Sequence, residues 1–204
     1  MPDPTIFIVD DDDAVRHCMS VMCSLAGLAC ETFPDAETFV AAYKPSRPGC
    51  LVVDQRMPGM SGLELLQWMA GQAQPLPVVV ITGHGEVPVA VTAFRGGAWD
   101  FLEKPFSDEY FLERVRAAIT HDADSRHRAG EQADLTARYR RLSRRERAVM
   151  ELLVQGLANK LVAAELGIGI RTVESHRSNV LKKMGVTSLS ELTRQHLRLC
   201  GNEG

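Results

Sequence analysis

Residues 50–58 read Cys-Leu-Val-Val-Asp-Gln-Arg-Met-Pro: four apolar residues that halt on a carboxylate, Asp54. A short apolar run with no polar residue to mark an outward face predicts a strand covered on both sides. Leu63–Met69 then follows with helical spacing. The same phrase recurs on either side. Thr5–Val9 stops at Asp10, and residues 14–26 follow as a helix that Gly27 can end. Val78–Ile81 ends on Thr82, with a helix through Val89–Arg95. Trp99–Leu102 ends near Glu103-Lys104-Pro105, and Ser107 can cap a last helix whose Phe111, Leu112, Val115 and Ile119 share a face. A weaker strand at Ala29–Phe33 and a helix at Asp35–Tyr43 complete five βα units. This alternation predicts an α/β fold, (βα)5, with a doubly wound parallel sheet over residues 1–120.

Beyond residue 120 the strand signals vanish. Residues 121–141 read as a linker whose composition favours helix, with Gly130 as the one place it could break. From 142 to 204 several short helices are predicted. Ser143-Arg144-Arg145-Glu146 fits a capping box, and Gly156, Gly167-Ile168-Gly169 and Gly185 punctuate the helices after it. A separate all-α domain is therefore expected. Charge divides the chain in the same way. Residues 1–120 carry 8 Lys/Arg against 16 Asp/Glu, whereas residues 142–204 carry 10 against 6. The basic half suits a polyanion.

The whole is an ordinary globular composition, 45% hydrophobic and 24% charged. No apolar run approaches the ~20 residues that span a bilayer, and Met1-Pro2-Asp3-Pro4 has neither the basic start nor the apolar stretch of a signal peptide. A cytoplasmic protein with no membrane partner is expected. Cys18, Cys23, Cys30, Cys50 and Cys200 are odd in number and lack metal-ligand spacing, so they read as small core hydrophobes in a reducing compartment.

Ligands of parallel α/β sheets bind beyond the carboxyl ends of the strands. The polar residues there are Asp10, Asp11, Asp54, Thr82 and Lys104. Three converging carboxylates call for a hard divalent cation, and Mg2+ suits a site with few carboxylates, waters and a phosphate. The lysine and the threonine hydroxyl could then hold phosphoryl oxygens. No His, Cys or Gly-rich phosphate loop stands nearby. The set supports in-line phosphoryl transfer onto a carboxylate.

Val9-Asp10-Asp11, Asp54 with Met57-Pro58, Thr82-Gly83 and Lys104-Pro105-Phe106 resemble the receiver domain of two-component signalling, over nearly all of residues 1–120. The resemblance implies that Asp54 is the phosphoacceptor. It implies that Asp11, Asp54 and the backbone carbonyl of Arg56 bind Mg2+, with Asp10 acting through water. Thr82 and Lys104 would contact the phosphoryl oxygens, Phe101 would change rotamer on activation, and Lys104–Pro105 would be cis.

In the basic half, Lys160–Leu166 and Thr172–Met184 flank a short glycine turn, the spacing of a helix-turn-helix whose second helix enters the major groove. Val173, Val180 and Met184 share one face. Arg171, Glu174, Ser175, Arg177, Ser178 and Lys182 share the other. Arg177 and Lys182 suit phosphate or guanine and Glu174 suits cytosine N4, while Asn159, Lys160, Arg171 and Thr172 suit the backbone. His176 reads as structural. Leu142-Ser143, Arg145-Glu146, Gly156, Asn159-Lys160, Thr172-Val173, His176, Asn179 and Lys183-Met184 resemble the LuxR-type (NarL-type) DNA-binding domain, which implies an all-α four-helix domain. Behind a receiver, and with Thr82-Gly83-His84-Gly85 and Glu103-Lys104-Pro105-Phe106, the chain is similar to FixJ-like regulators. Glu174 departs from the Lys of several relatives, and Gly169 from their Ser.

The resemblance implies a sensor histidine kinase as phosphodonor, double-stranded promoter DNA as target and RNA polymerase as a further partner. It also implies a homodimer on phosphorylation, formed through the face carrying Val91, Arg95 and Trp99. No dedicated substrate turnover is expected. Two alternatives stay open on the residues alone: a Mg-dependent aspartyl-phosphate phosphatase, against which Asp54-Gln55-Arg56 lacks a second acid, and a basic module that binds protein or RNA.

Overall fold

A computed structural model describes residues 3–83 and 87–200, so His84 and Gly85 lie outside the described residues. The chain divides into two units between Arg126 and His127.

The first unit is a five-stranded parallel sheet in the order β2-β1-β3-β4-β5. β1 is Thr5–Val9, β2 Ala29–Phe33, β3 Gly49–Asp54, β4 Val78–Thr82 and β5 Asp100–Glu103. The helices alternate with them as α1 Asp13–Leu25, α2 Ala36–Ala42, α3 Gly62–Ala70, α4 Val87–Arg95 and α5 Asp108–Arg140. The strands β1, β3 and β4 are buried throughout, as their unbroken apolar runs require. By contrast β2 is not apolar on both faces: it forms an edge, and of its five residues only Phe33 is buried. Successive residues of β1 and β3 feed opposite cores. Phe7, Val9, Leu51 and Val53 pack against α2 and α3, whereas Ile6, Ile8, Cys50 and Val52 meet α1 and the start of α5. Cys23 and Cys50 are core members, and burial pushes the Cys23 thiol up to about 12 and Cys50 higher still. Cys18 and Cys200 are exposed, so the reading of the cysteines as core hydrophobes does not extend to them.

The reversal of strand order falls between β1 and β3, and this switch point is where doubly wound sheets open a ligand crevice. It places Asp10 and Asp54 side by side.

α5 runs 33 residues without a break, through Gly130. Its early turns supply Phe111, Val115 and Ala118 to the first unit. The end of the first unit is set by two residues past the expected boundary at 120. The buried Asp122 carboxylate accepts the Gly49 N–H at 2.8 Å and Arg126 Nε at 2.8 Å. The Arg126 guanidinium also donates to the Pro45 and Arg47 carbonyls at 2.7 and 2.9 Å, and to Gln74 Oε1 at 2.9 Å.

The second unit is helical: the end of α5, then α6 Arg144–Val154, α7 Asn159–Leu166, α8 Ile170–Met184 and α9 Leu189–Cys200. The Ser143–Glu146 capping box is formed. Gly167 ends α7 in the left-handed region at φ 63° and Gly169 caps α8 without a side chain, so α8 begins two residues earlier than the sequence suggests. Leu135, Met150, Val180, Met184 and Leu192 form one core, and Val149, Leu153, Val162 and Val173 another.

Candidate functional site

Two carboxylates and one ammonium form the centre of the crevice. Asp10 follows β1, is 1% exposed, and accepts the Asp12 N–H on Oδ1 at 2.9 Å. Asp54 closes β3 and accepts the Arg56 N–H on Oδ2 at 2.7 Å. Lys104 Nζ bridges them, donating to Asp10 Oδ2 at 2.8 Å and to Asp54 Oδ1 at 2.7 Å. Burial alone would lower the Lys104 pKa, but its hydrogen bonds and ion pairs with Asp10 and Asp54 outweigh that and hold it above the ordinary lysine value. Lys104–Pro105 is the cis peptide expected there.

Asp11 follows Asp10 directly. It is exposed, and among the described residues no three acidic, His or Cys side chains converge into a metal-holding group. The structure brings together two carboxylates rather than three. Lys104 pairs with both Asp10 and Asp54 but carries one positive charge against their two carboxylates, while Asp11, one residue further from the end of β1, is exposed. The donor chemistry nonetheless fits a hard cation, since the ligands on hand at the two strand ends are carboxylate and backbone oxygens.

Thr82 is 1% exposed at the end of β4, and its hydroxyl donates to Gln55 Oε1 at 2.7 Å. Phe101 on β5 is half-buried against the α2–α3 side of the core. The neighbouring face carries exposed Val91, Arg95 and Trp99, with Trp99 stacked on His121 at 4.1 Å between ring centres. It also carries Phe94, 52% exposed, which helical periodicity alone did not single out.

Other neighbours of the crevice went unseen in the sequence. The Arg16 guanidinium donates to the Asp10 carbonyl and pairs with Asp13. Glu37 Oε1 accepts the Met60 N–H at 3.0 Å, tying the loop after Asp54 to α2. Only the position of Gln55, directly after the acidic strand end, could have flagged a member of this group.

The nucleic-acid candidates lie on α7 and α8. On α8 the buried residues are Val173, Val180 and Met184, and Arg171, Thr172, Glu174, Ser175, Ser178 and Lys182 are exposed. Arg177 and His176 are half-buried; on α7, Asn159 is half-buried and Lys160 exposed. Lys183 is committed elsewhere, donating to Glu146 Oε2 at 2.7 Å. Burial would raise the Glu146 pKa, yet Lys183 and Ser143 hold it below the usual carboxylate value.

Residues 6–116 match the response regulator receiver domain, and residues 140–195 match the bacterial regulatory proteins of the luxR family. The transcriptional regulatory protein FixJ of Azorhizobium caulinodans is 45% identical over 192 residues, covering 94% of this chain and 91% of that protein. The response regulator protein TodT of Pseudomonas putida is 39% identical, covering 95% and 86%. Among solved structures, the response regulator StyR superposes with a TM-score of 0.88 at 39% identity, covering 96% of this chain and 98% of that one. Full-length FixJ from B. japonicum gives 0.60 at 42% identity, covering 98% and 99%.

Proposed function

Because the chain belongs to the FixJ-like response regulators, in which a receiver domain precedes a LuxR-type DNA-binding domain, we propose that Asp54 accepts the phosphoryl group by which this regulator controls promoter binding through α8. The observation that carries the reading is the Asp10–Lys104–Asp54 bridge at the sheet's switch point.

A carboxylate oxygen of Asp54 attacks the phosphorus of a histidine kinase's phosphohistidine in line; the P–N bond breaks and the imidazole nitrogen keeps the electron pair. Lys104, already held against Asp54, pairs with the oxygens of the new acyl phosphate, and the Thr82 hydroxyl donates to another. Receiver domains bind Mg2+ at the phosphorylation site; here Asp11, Asp54 and the Arg56 carbonyl would hold it, with Asp10 acting through water. Bound there, the ion supplies charge neutralisation for the approaching phosphoryl group. Multiple turnover on phosphate esters is not expected.

Withdrawal of the Thr82 hydroxyl leaves space toward which Phe101 turns. That shift remodels the exposed face of Val91, Arg95 and Trp99, which becomes the interface of a homodimer. Two copies of α8 then meet a two-fold operator. On it Arg177, Lys182 and Glu174 read bases or phosphates with Ser175 and Ser178 beside them, and Asn159, Lys160, Arg171 and Thr172 hold the backbone. RNA polymerase is a further partner, and the protein works in the cytoplasm.

Asp54→Asn tests the reading. With Mg2+ and acetyl phosphate the wild type is expected to dimerise in sedimentation velocity and the variant to stay monomeric. Full dimerisation of the variant would overturn the assignment.

A further inference from the structure

We propose that Gln55 is a latch on the switch hydroxyl, holding Thr82 in its resting position and setting how readily the receiver takes its phosphorylated form. The inference rests on the reading that Thr82 donates to the phosphoryl group. A threonine hydroxyl has one proton. In this structure that proton is given to Gln55 Oε1 at 2.7 Å. Donation to Gln55 and donation to a phosphoryl oxygen are therefore mutually exclusive, and the stronger the first, the harder the second.

Gln55 is placed to compete because its backbone cannot follow Thr82. Its N–H donates to the Ile81 carbonyl at 2.7 Å, and its own carbonyl accepts the Gly62 N–H at 3.1 Å. Gly62 presses so closely on this corner that a Cβ there would lie 2.2 Å from the Asp54 carbonyl oxygen. With both backbone groups bonded and the start of α3 packed against them, the carboxamide reaches Thr82 from a fixed post. The bond also lies in a half-buried setting, where water is a poor substitute partner. Gln55 is thus a positioning residue that biases the switch without touching phosphate.

The test uses the full chain with beryllofluoride as phosphoryl stand-in at saturating Mg2+, followed by tryptophan fluorescence. Gln55→Met keeps the length and removes the acceptor. It should bind beryllofluoride about three- to tenfold more tightly, the range expected for loss of one hydrogen bond that opposes the bound form. Gln55→Asn, whose shorter amide falls short of Thr82, should do the same and serves if the methionine variant folds poorly. Thr82→Ala should weaken binding, and adding Gln55→Met to it should change nothing further, since the latch would have nothing to hold. Unchanged affinity in both Gln55 variants overturns the latch, as does a gain that persists in the Thr82→Ala background. If Thr82→Ala itself leaves affinity untouched, it is the phosphoryl role of Thr82 that fails, and the latch falls with it.

Discussion

One ammonium at the crevice answers two carboxylates, and the consequences can be read at the level of that side chain. Remove it, and Asp10 and Asp54 are left largely buried beside each other without the ammonium that pairs with both. Lys104→Ala is therefore expected to cost about 1–3 kcal/mol in denaturant unfolding at neutral pH. Because the folded-state pKa of Lys104 lies above its unfolded value of 10.5, its contribution is fully present below that pH and is lost as pH rises through the folded value. The gap between wild type and variant should therefore narrow in strong alkali; a constant gap would show that the ion pairs contribute nothing. The five polar residues at the strand ends were legible one by one, because each lies at or just past the end of an apolar run. Their pairing was not. That Lys104 bridges positions 94 and 50 residues away, and that Thr82 turns to Gln55, depends on how the strands lie side by side. Asp11 shows the same limit: the sequence puts it beside a strand end, and only the structure shows it exposed while Asp10 is buried.

The elements themselves were the most readable part of the chain. Both β1 and β2 have the bounds their composition suggests, and β5 is displaced by a single residue. The start of α8 was harder to see because its N-cap is a glycine and leaves no side-chain signature. Gly130 posed the sharpest question, since glycine is the poorest interior helix former after proline. α5 passes through it unbroken, and a methyl group there would meet nothing within 4 Å. Gly130→Ala should accordingly stabilise the helix, by about 0.5–1 kcal/mol, with a matching rise in helical circular dichroism. No gain, or a loss, would mean that the helix is broken at this point in solution.

At the scale of the molecule, the asymmetry of charge is the clearest sequence signal, because it survives ignorance of every contact. An acidic sheet unit and a basic helical unit imply that binding to DNA is dominated by the second and weakens steeply with salt. Replacing Lys182, an exposed cation on α8, with Ala should lower affinity and reduce the slope of log affinity against log salt by about one if it meets a phosphate. An unaltered slope would remove it from the backbone contacts. Arg177→Ala should weaken operator binding while leaving phosphorylation by acetyl phosphate unchanged; equal affinity across the salt series would exclude Arg177 from the interface. What charge could not mark is where one unit ends.

That ending matters to anyone who would express the sheet unit by itself. A gene cut after Thr120 discards Asp122 and Arg126, stranding the Gly49 amide and stripping two connecting loops of their shared guanidinium. Such a fragment should melt several degrees below one carried on past Arg126, a difference that dye-based thermal scanning would resolve.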